Sequence, residues 1–122
     1  MLKISLDEGY IFDILSILEI KKSKSKNESY EKIINSFEEL KKEVIQQIGE
    51  EKYYKIIHST EYEELLEANF LTFQLINLIK QSDGIAKEID DSNYCRYLKK
   101  IALQKTFFNN DIKEVKIGYE NE

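Results

Sequence analysis

The stretch Ser5-Leu6-Asp7-Glu8-Gly9-Tyr10-Ile11-Phe12-Asp13-Ile14-Leu15-Ser16-Ile17-Leu18-Glu19-Ile20 decides the fold. Ser5 and Glu8 have the spacing of a capping box, in which a hydroxyl and a carboxylate satisfy the first free N–H groups of a helix. A helix is therefore predicted to start near residue 6. Tyr10, Ile11, Phe12, Ile14, Leu15, Ile17, Leu18 and Ile20 make it apolar around most of its circumference, the pattern of a helix buried on several sides. Asp13 is the exception. It shares a stripe with Gly9 and Ser16, so its carboxylate is not freely solvated and needs a partner.

Working outward, residues 21 to 28 are polar, with Ser and Asn among the lysines, and read as a loop. Ser29 opens a second helix whose stripe, Tyr30, Ile33, Phe37, Leu40, Val44 and Ile48, advances in steps of three and four. Gly49 is placed to cap it. Residues 51 to 58, with Tyr53, Tyr54, Ile56 and Ile57, read as a short helical turn. Thr60 and Glu63 repeat the capping box and start a third long helix, with Tyr62, Leu66, Asn69, Phe73, Ile76 and Ile79 on one stripe. After the turn at Ser82-Asp83-Gly84, a last helix is predicted from Lys87 to Phe108, with Cys95, Leu98, Ile101, Ala102 and Lys105 on one face. Residues 113 to 119 alternate polar and apolar like a strand that could pair with residues 3 to 5. The expected fold is all-α, an up-and-down bundle of about four helices in a single domain over 1–122, with a two-stranded ribbon where the termini meet.

Composition supports this and narrows the function. The 122 residues contain no Pro and four Gly, so helix breakers are scarce. A net charge of −5 argues against a surface built to neutralise phosphate backbones, and nucleic acid is not an expected partner. The single Cys95 permits no internal disulfide and fits a reducing cytoplasm. No apolar run reaches the roughly 18 residues of a membrane span, and neither a signal peptide nor a membrane partner is expected. Of 18 basic residues 17 are Lys, which leaves Arg96 as the one side chain able to grip a carboxylate or phosphate with a bidentate fork.

Two patterns carry chemistry. Glu64-x-x-Glu67 followed by Glu88-x-x-Asp91 resembles the paired acidic signature of all-helical nucleoside triphosphate pyrophosphohydrolases, a resemblance that implies Mg²⁺ held by the four carboxylates. Both pairs, however, sit near the N-terminal ends of consecutive antiparallel helices. At about 1.5 Å per residue this separates them by roughly 20 Å, too far for one metal cluster. Glu-x-x-Glu also recurs at Glu28/Glu31 and Glu61/Glu64 in a chain with 23 acidic residues. Acidic first turns are ordinary helix starts.

The second pattern spans nearly the whole chain. Gly9-x-x-x-Asp13-x-x-x-Ile17-Leu18-Glu19-x-Lys21, Asn69-x-x-x-Phe73, Asn93-x-x-Arg96-x-x-x-Lys100 and Glu114-x-Lys116-x-x-Tyr119 resemble a family of small bacterial and phage helical proteins known only as a domain of unknown function. Members usually carry Trp where Phe73 stands. The resemblance implies no activity; it singles out polar positions.

Asn93, Arg96 and Lys100 share one helix face at i, i+3 and i+7. Asp13 is expected to orient Arg96, while Asn69, Asn93 and Lys100 complete either a pocket for a small anion, such as a phosphate or sugar nucleotide, or a structural network fixing helix register. His58, the only histidine, sits where a cation favours a helix C-terminus and has no nucleophile motif beside it. No catalytic residue is assigned. The sequence leans towards a non-enzymatic helical interaction module with a protein partner or a second copy as a homodimer. The alternative is a small-anion binding protein or a Mg²⁺-dependent pyrophosphohydrolase-like enzyme.

Overall fold

The computed structural model describes residues 6–24, 29–79 and 86–109, and these form five helices: α1 (Glu8–Lys24), α2 (Ser29–Ile48), α3 (Glu50–Ile57), α4 (Thr60–Ile79) and α5 (Ala86–Phe108). The all-α expectation holds, but the count is five, because residues expected as a single turn make a complete short helix. No strand occurs among the described residues, and the ribbon expected from residues 3 to 5 and 113 to 119 lies outside them. No described helix is long and apolar enough to cross a membrane.

Several boundaries moved for local reasons. α1 runs on to Lys24 where a loop was expected, since Lys21, Lys22 and Lys24 complement the negative end of the helix dipole. Two of these lysines lie over aromatic rings, Lys22 Nζ 4.5 Å from the Phe37 centroid and Lys24 Nζ 5.0 Å from that of Phe70. Between α2 and α3, Gly49 adopts φ 92° and ψ 152°, a conformation open essentially to Gly alone. The N-cap of α4 is Ser59, one residue before the expected Thr60: its Oγ accepts a hydrogen bond from the Tyr62 N–H at 3.1 Å.

The core is centred on Phe12. Its ring lies 6.3 Å from Tyr53, 6.3 Å from Tyr62 in an edge-on arrangement and 6.2 Å from Phe108. Leu15, Ile56, Leu65 and Leu103 are fully buried around it. Thus α1 is central, as its all-round apolarity required. The Tyr62 hydroxyl donates to Glu19 Oε2 at 2.9 Å; burial, reinforced by that carboxylate, pushes its pKa well above the usual phenol value.

α4 and α5 form an antiparallel hairpin, with Lys99 Nζ 3.1 Å from Glu64 Oε2 and the hydroxyls of Thr72 and Ser92 hydrogen-bonded to each other. Here the expected faces were rotated. On α4 the buried residues are Tyr62, Leu65, Ala68, Asn69 and Thr72, while Ile76 is 46% exposed. On α5 the buried residues are Ser92, Leu103 and Gln104, and Leu98 of the expected stripe is 44% exposed, with Ala102 and Lys105 also outside. The cause is that α5 turns a hydrogen-bonding arc inwards. Apolar periodicity marks a buried face only when that face is apolar.

α1 and α5 approach each other closely at Gly9. Its N–H donates to Gln104 Oε1, Gln104 Nε2 donates to Glu8 Oε1 at 2.7 Å, and a Cβ placed on Gly9 would stand 2.9 Å from the Lys100 carbonyl oxygen. Gly9→Ala is therefore expected to cost about 1–3 kcal/mol through overpacking. Gly49→Ala, with nothing within 4 Å of its added Cβ, should cost about as much through backbone strain alone, roughly 1–3 kcal/mol. Urea denaturation of both variants checks this; a Gly9→Ala midpoint equal to wild type would contradict the close approach.

Candidate functional site

Three helices meet at Asp13. Its side chain is 10% exposed, and both carboxylate oxygens are engaged. Asn69 Nδ2 of α4 donates to Oδ1 at 2.9 Å, and Arg96 Nη2 of α5 pairs with Oδ2 at 3.4 Å. Ser16, one turn along α1 and fully buried, donates to the Asp13 carbonyl oxygen at 2.7 Å and accepts a second bond from Asn69 Nδ2 at 2.6 Å. Arg96 Nη1 donates to Asn93 Oδ1 at 3.0 Å, the i, i+3 contact that helix geometry allows. The structure thus brings Asp13, Asn69, Asn93 and Arg96 into one hydrogen-bonded cluster.

Lys100 stands on the next turn of α5, its Nζ 5.3 Å from the centroid of the Tyr10 ring. Burial holds its pKa below the ordinary 10.5 and the Arg96 charge acts the same way, although Asp13, Tyr10 and Asp7 oppose them.

Orientation of the Asn69 amide is forced. An ionised carboxylate can only accept, so Nδ2 must face Asp13 and the carbonyl oxygen must face away from it. That oxygen, Asn69 Oδ1, is buried without a hydrogen-bond partner, and so is Arg96 Nε. Buried polar atoms in native folds are nearly always paired, so two orphans on the two residues that hold one carboxylate need an explanation. The Arg96 side chain as a whole is 26% exposed.

The acidic pairs behave differently. Glu64 is bound to Lys99, and Asp91 lies on the exposed surface with Lys87 Nζ 3.5 Å away. Because Thr72 faces Ser92 across the hairpin, Glu64 and Glu88 are offset along it by roughly 18 Å at 1.5 Å per residue. Among the described residues no three His, Cys, Asp or Glu side chains converge on a metal position. Glu64, Glu67, Glu88 and Asp91 do not fit one Mg²⁺ cluster. His58 closes α3, with its Nδ1 2.8 Å from the Tyr54 carbonyl oxygen and its ring stacked on that tyrosine.

Thr72, Ser92 and Gln104 were not singled out from sequence, yet all are buried and hydrogen-bonded. Their signal was present: Thr72 lies three residues after Asn69, and Ser92 and Gln104 each lie four residues from Arg96 or Lys100. Compared with known proteins, the chain matches no family model, no curated protein and no solved structure.

The sign of the Lys100 effect is testable. Below its lowered pKa both the folded and the unfolded chain carry the charge, and the folded one bears the desolvation cost. Between that pKa and 10.5 the unfolded chain binds more protons, so the Lys100 contribution to stability rises with pH. Lys100→Met is expected to melt no lower than wild type at pH 7, with its advantage shrinking as pH is raised towards 10. A clear loss of stability at pH 7, read by circular dichroism, would contradict this.

Proposed function

We propose that this chain is a binding protein for a small anionic ligand, held at the junction of α1, α4 and α5. The observation that carries the reading is that Asn69 Oδ1 and Arg96 Nε are buried without partners, on the two residues that hold Asp13, while the Arg96 side chain as a whole is 26% exposed. Arg96 supplies the guanidinium for an anion, and Lys100 adds a second positive charge on the same helix face. Asp13 and Asn93 hold Arg96 in place, one through each terminal nitrogen. The same positions carry the resemblance to the small bacterial and phage family, and the proposal extends to that family on the same terms. Mg²⁺ has no part in it.

A second reading, an interaction module that self-associates in the cytoplasm, is favoured by one feature. A groove of about 480 Å³ runs between α1 and α2 to the end of α5, with Leu6, Ile11, Leu40 and Phe108 along it beside the polar Glu8, Glu43 and Gln47, and with Leu6 about half exposed. A second copy is the occupant this reading names. A solution mass near 14.5 kDa at all concentrations would exclude it.

The ligand reading is tested by thermal shift of wild type and Arg96→Ala against inorganic phosphate, glucose 6-phosphate and UDP-glucose, with and without Mg²⁺. Binding to the folded state alone raises the melting temperature, by roughly 10 °C at about 100 times Kd for a domain of this size. The expected result is a Mg²⁺-independent shift in wild type that is absent in Arg96→Ala. A flat response across the panel, or an equal shift in the variant, would overturn the reading.

A further inference from the structure

α5 ends at the groove between α1 and α2. Phe108, its last helical residue, lines that groove, and its ring centroid lies 6.2 Å from that of Phe12. Asn109 then takes φ 53° while its N–H donates to the Lys105 carbonyl oxygen at 3.2 Å, a left-handed cap that stops the helix at this point. The chain therefore leaves the described structure at the rim of the groove, with residues 110–122 still to follow. A second hollow beside the end of α5, of about 610 Å³, is lined by Glu50, Glu51, Lys52 and Lys55 and offers charges of both signs. The groove is the more apolar of the two: Ile11 and Leu40 are half-buried along it, and Leu6 is 48% exposed.

The sequence that follows matches what the groove offers. In Lys113-Glu114-Val115-Lys116-Ile117-Gly118-Tyr119 the apolar Val115, Ile117 and Tyr119 stand at alternate positions, and Lys113 falls in the same alternation. The groove sets Glu8 and Glu43 beside its apolar residues, and among the described residues no cation pairs with Glu43. A segment that brings Val115 and Ile117 to Ile11 and Leu40 thus has an ammonium for the acidic edge. Reach is no obstacle. Leu40 and Ile48, which mark the groove along α2, are about 12 Å apart at 1.5 Å per residue, a distance that about four residues of extended chain cover. We infer that the groove is the docking site of this chain's own C-terminal segment, residues 112–119, with Val115 and Ile117 against Ile11 and Leu40 and Lys113 beside Glu43. The inference is independent of the anion site, and it closes from within one chain the face that self-association would use.

The test uses the unaltered chain of 122 residues, so that folding of a variant is not at issue. Nuclear Overhauser contacts from the Val115 and Ile117 methyl groups to those of Ile11 and Leu40 are expected in a uniformly ¹³C-labelled sample. In an equal mixture of labelled and unlabelled chains, filtered to retain only contacts between the two, the same contacts are expected to be lost. Their survival in the filtered spectrum would give the groove to a second copy and overturn the inference. Groove methyl groups with no contact to any residue of 110–122 would overturn it as well, and so would contacts that place Val115 and Ile117 against Lys52 and Lys55 in the neighbouring hollow.

Discussion

A carboxylate placed on an otherwise apolar helix governs the architecture. Asp13 sits among Phe12, Leu15 and Ser16, and once α1 is buried its charge has to be met by groups from other helices. Asn69 and Arg96 meet it from α4 and α5, so the position of α1 against the hairpin is set by two specific bonds. A slip of α1 by one residue would carry Asp13 out of reach of both and turn an apolar side chain towards the guanidinium. Hydrogen bonds to charged groups are worth about 1.5–3 kcal/mol each, which is enough to select one register among several that bury similar apolar area.

Selecting a register is different from supplying stability. Buried ion pairs come close to breaking even against desolvation, so the net driving force has to come from elsewhere. It comes from the aromatic cluster of Phe12, Tyr53, Tyr62 and Phe108 and from the aliphatic side chains around it. α1 serves both purposes on adjacent residues. Phe12 faces the aromatic core, and Asp13 faces the polar junction with α5. Burial of Gln104 against Gly9 extends the same polar seam along α5, and the absence of a side chain at Gly9 is what lets the two helices approach.

Much of this was legible in the chain. Helix starts and stops followed from Ser29, Gly49 and Thr60 to within a few residues, because capping chemistry is local. The Asp13–Arg96 contact was readable for a different reason: a buried carboxylate demands a cation or donors, and the sequence offers one Arg on a helix with few other claims on it. Helix faces were less legible. Leu98, Ile101 and Ala102 gave α5 a plausible apolar stripe, while its buried residues are Ser92, Leu103 and Gln104. Small polar side chains suit a solvated surface equally well, and only their partners on α1 and α4 reveal which way they point. Ile76 misled in the same way, since its register on α4 matches the core but it is nearly half exposed.

The central claim is that Asp13 holds Arg96 with its Nε–H buried and unpaired in the free protein. Because Arg96 is the only arginine, its Nε–H gives one resolved arginine signal in a ¹⁵N–¹H correlation spectrum. The account predicts that this signal is protected from solvent exchange in the free protein and moves on titration with glucose 6-phosphate, while signals from the Phe12 core stay in place. Rapid exchange in the free protein, or a signal unmoved at saturating ligand, would contradict it.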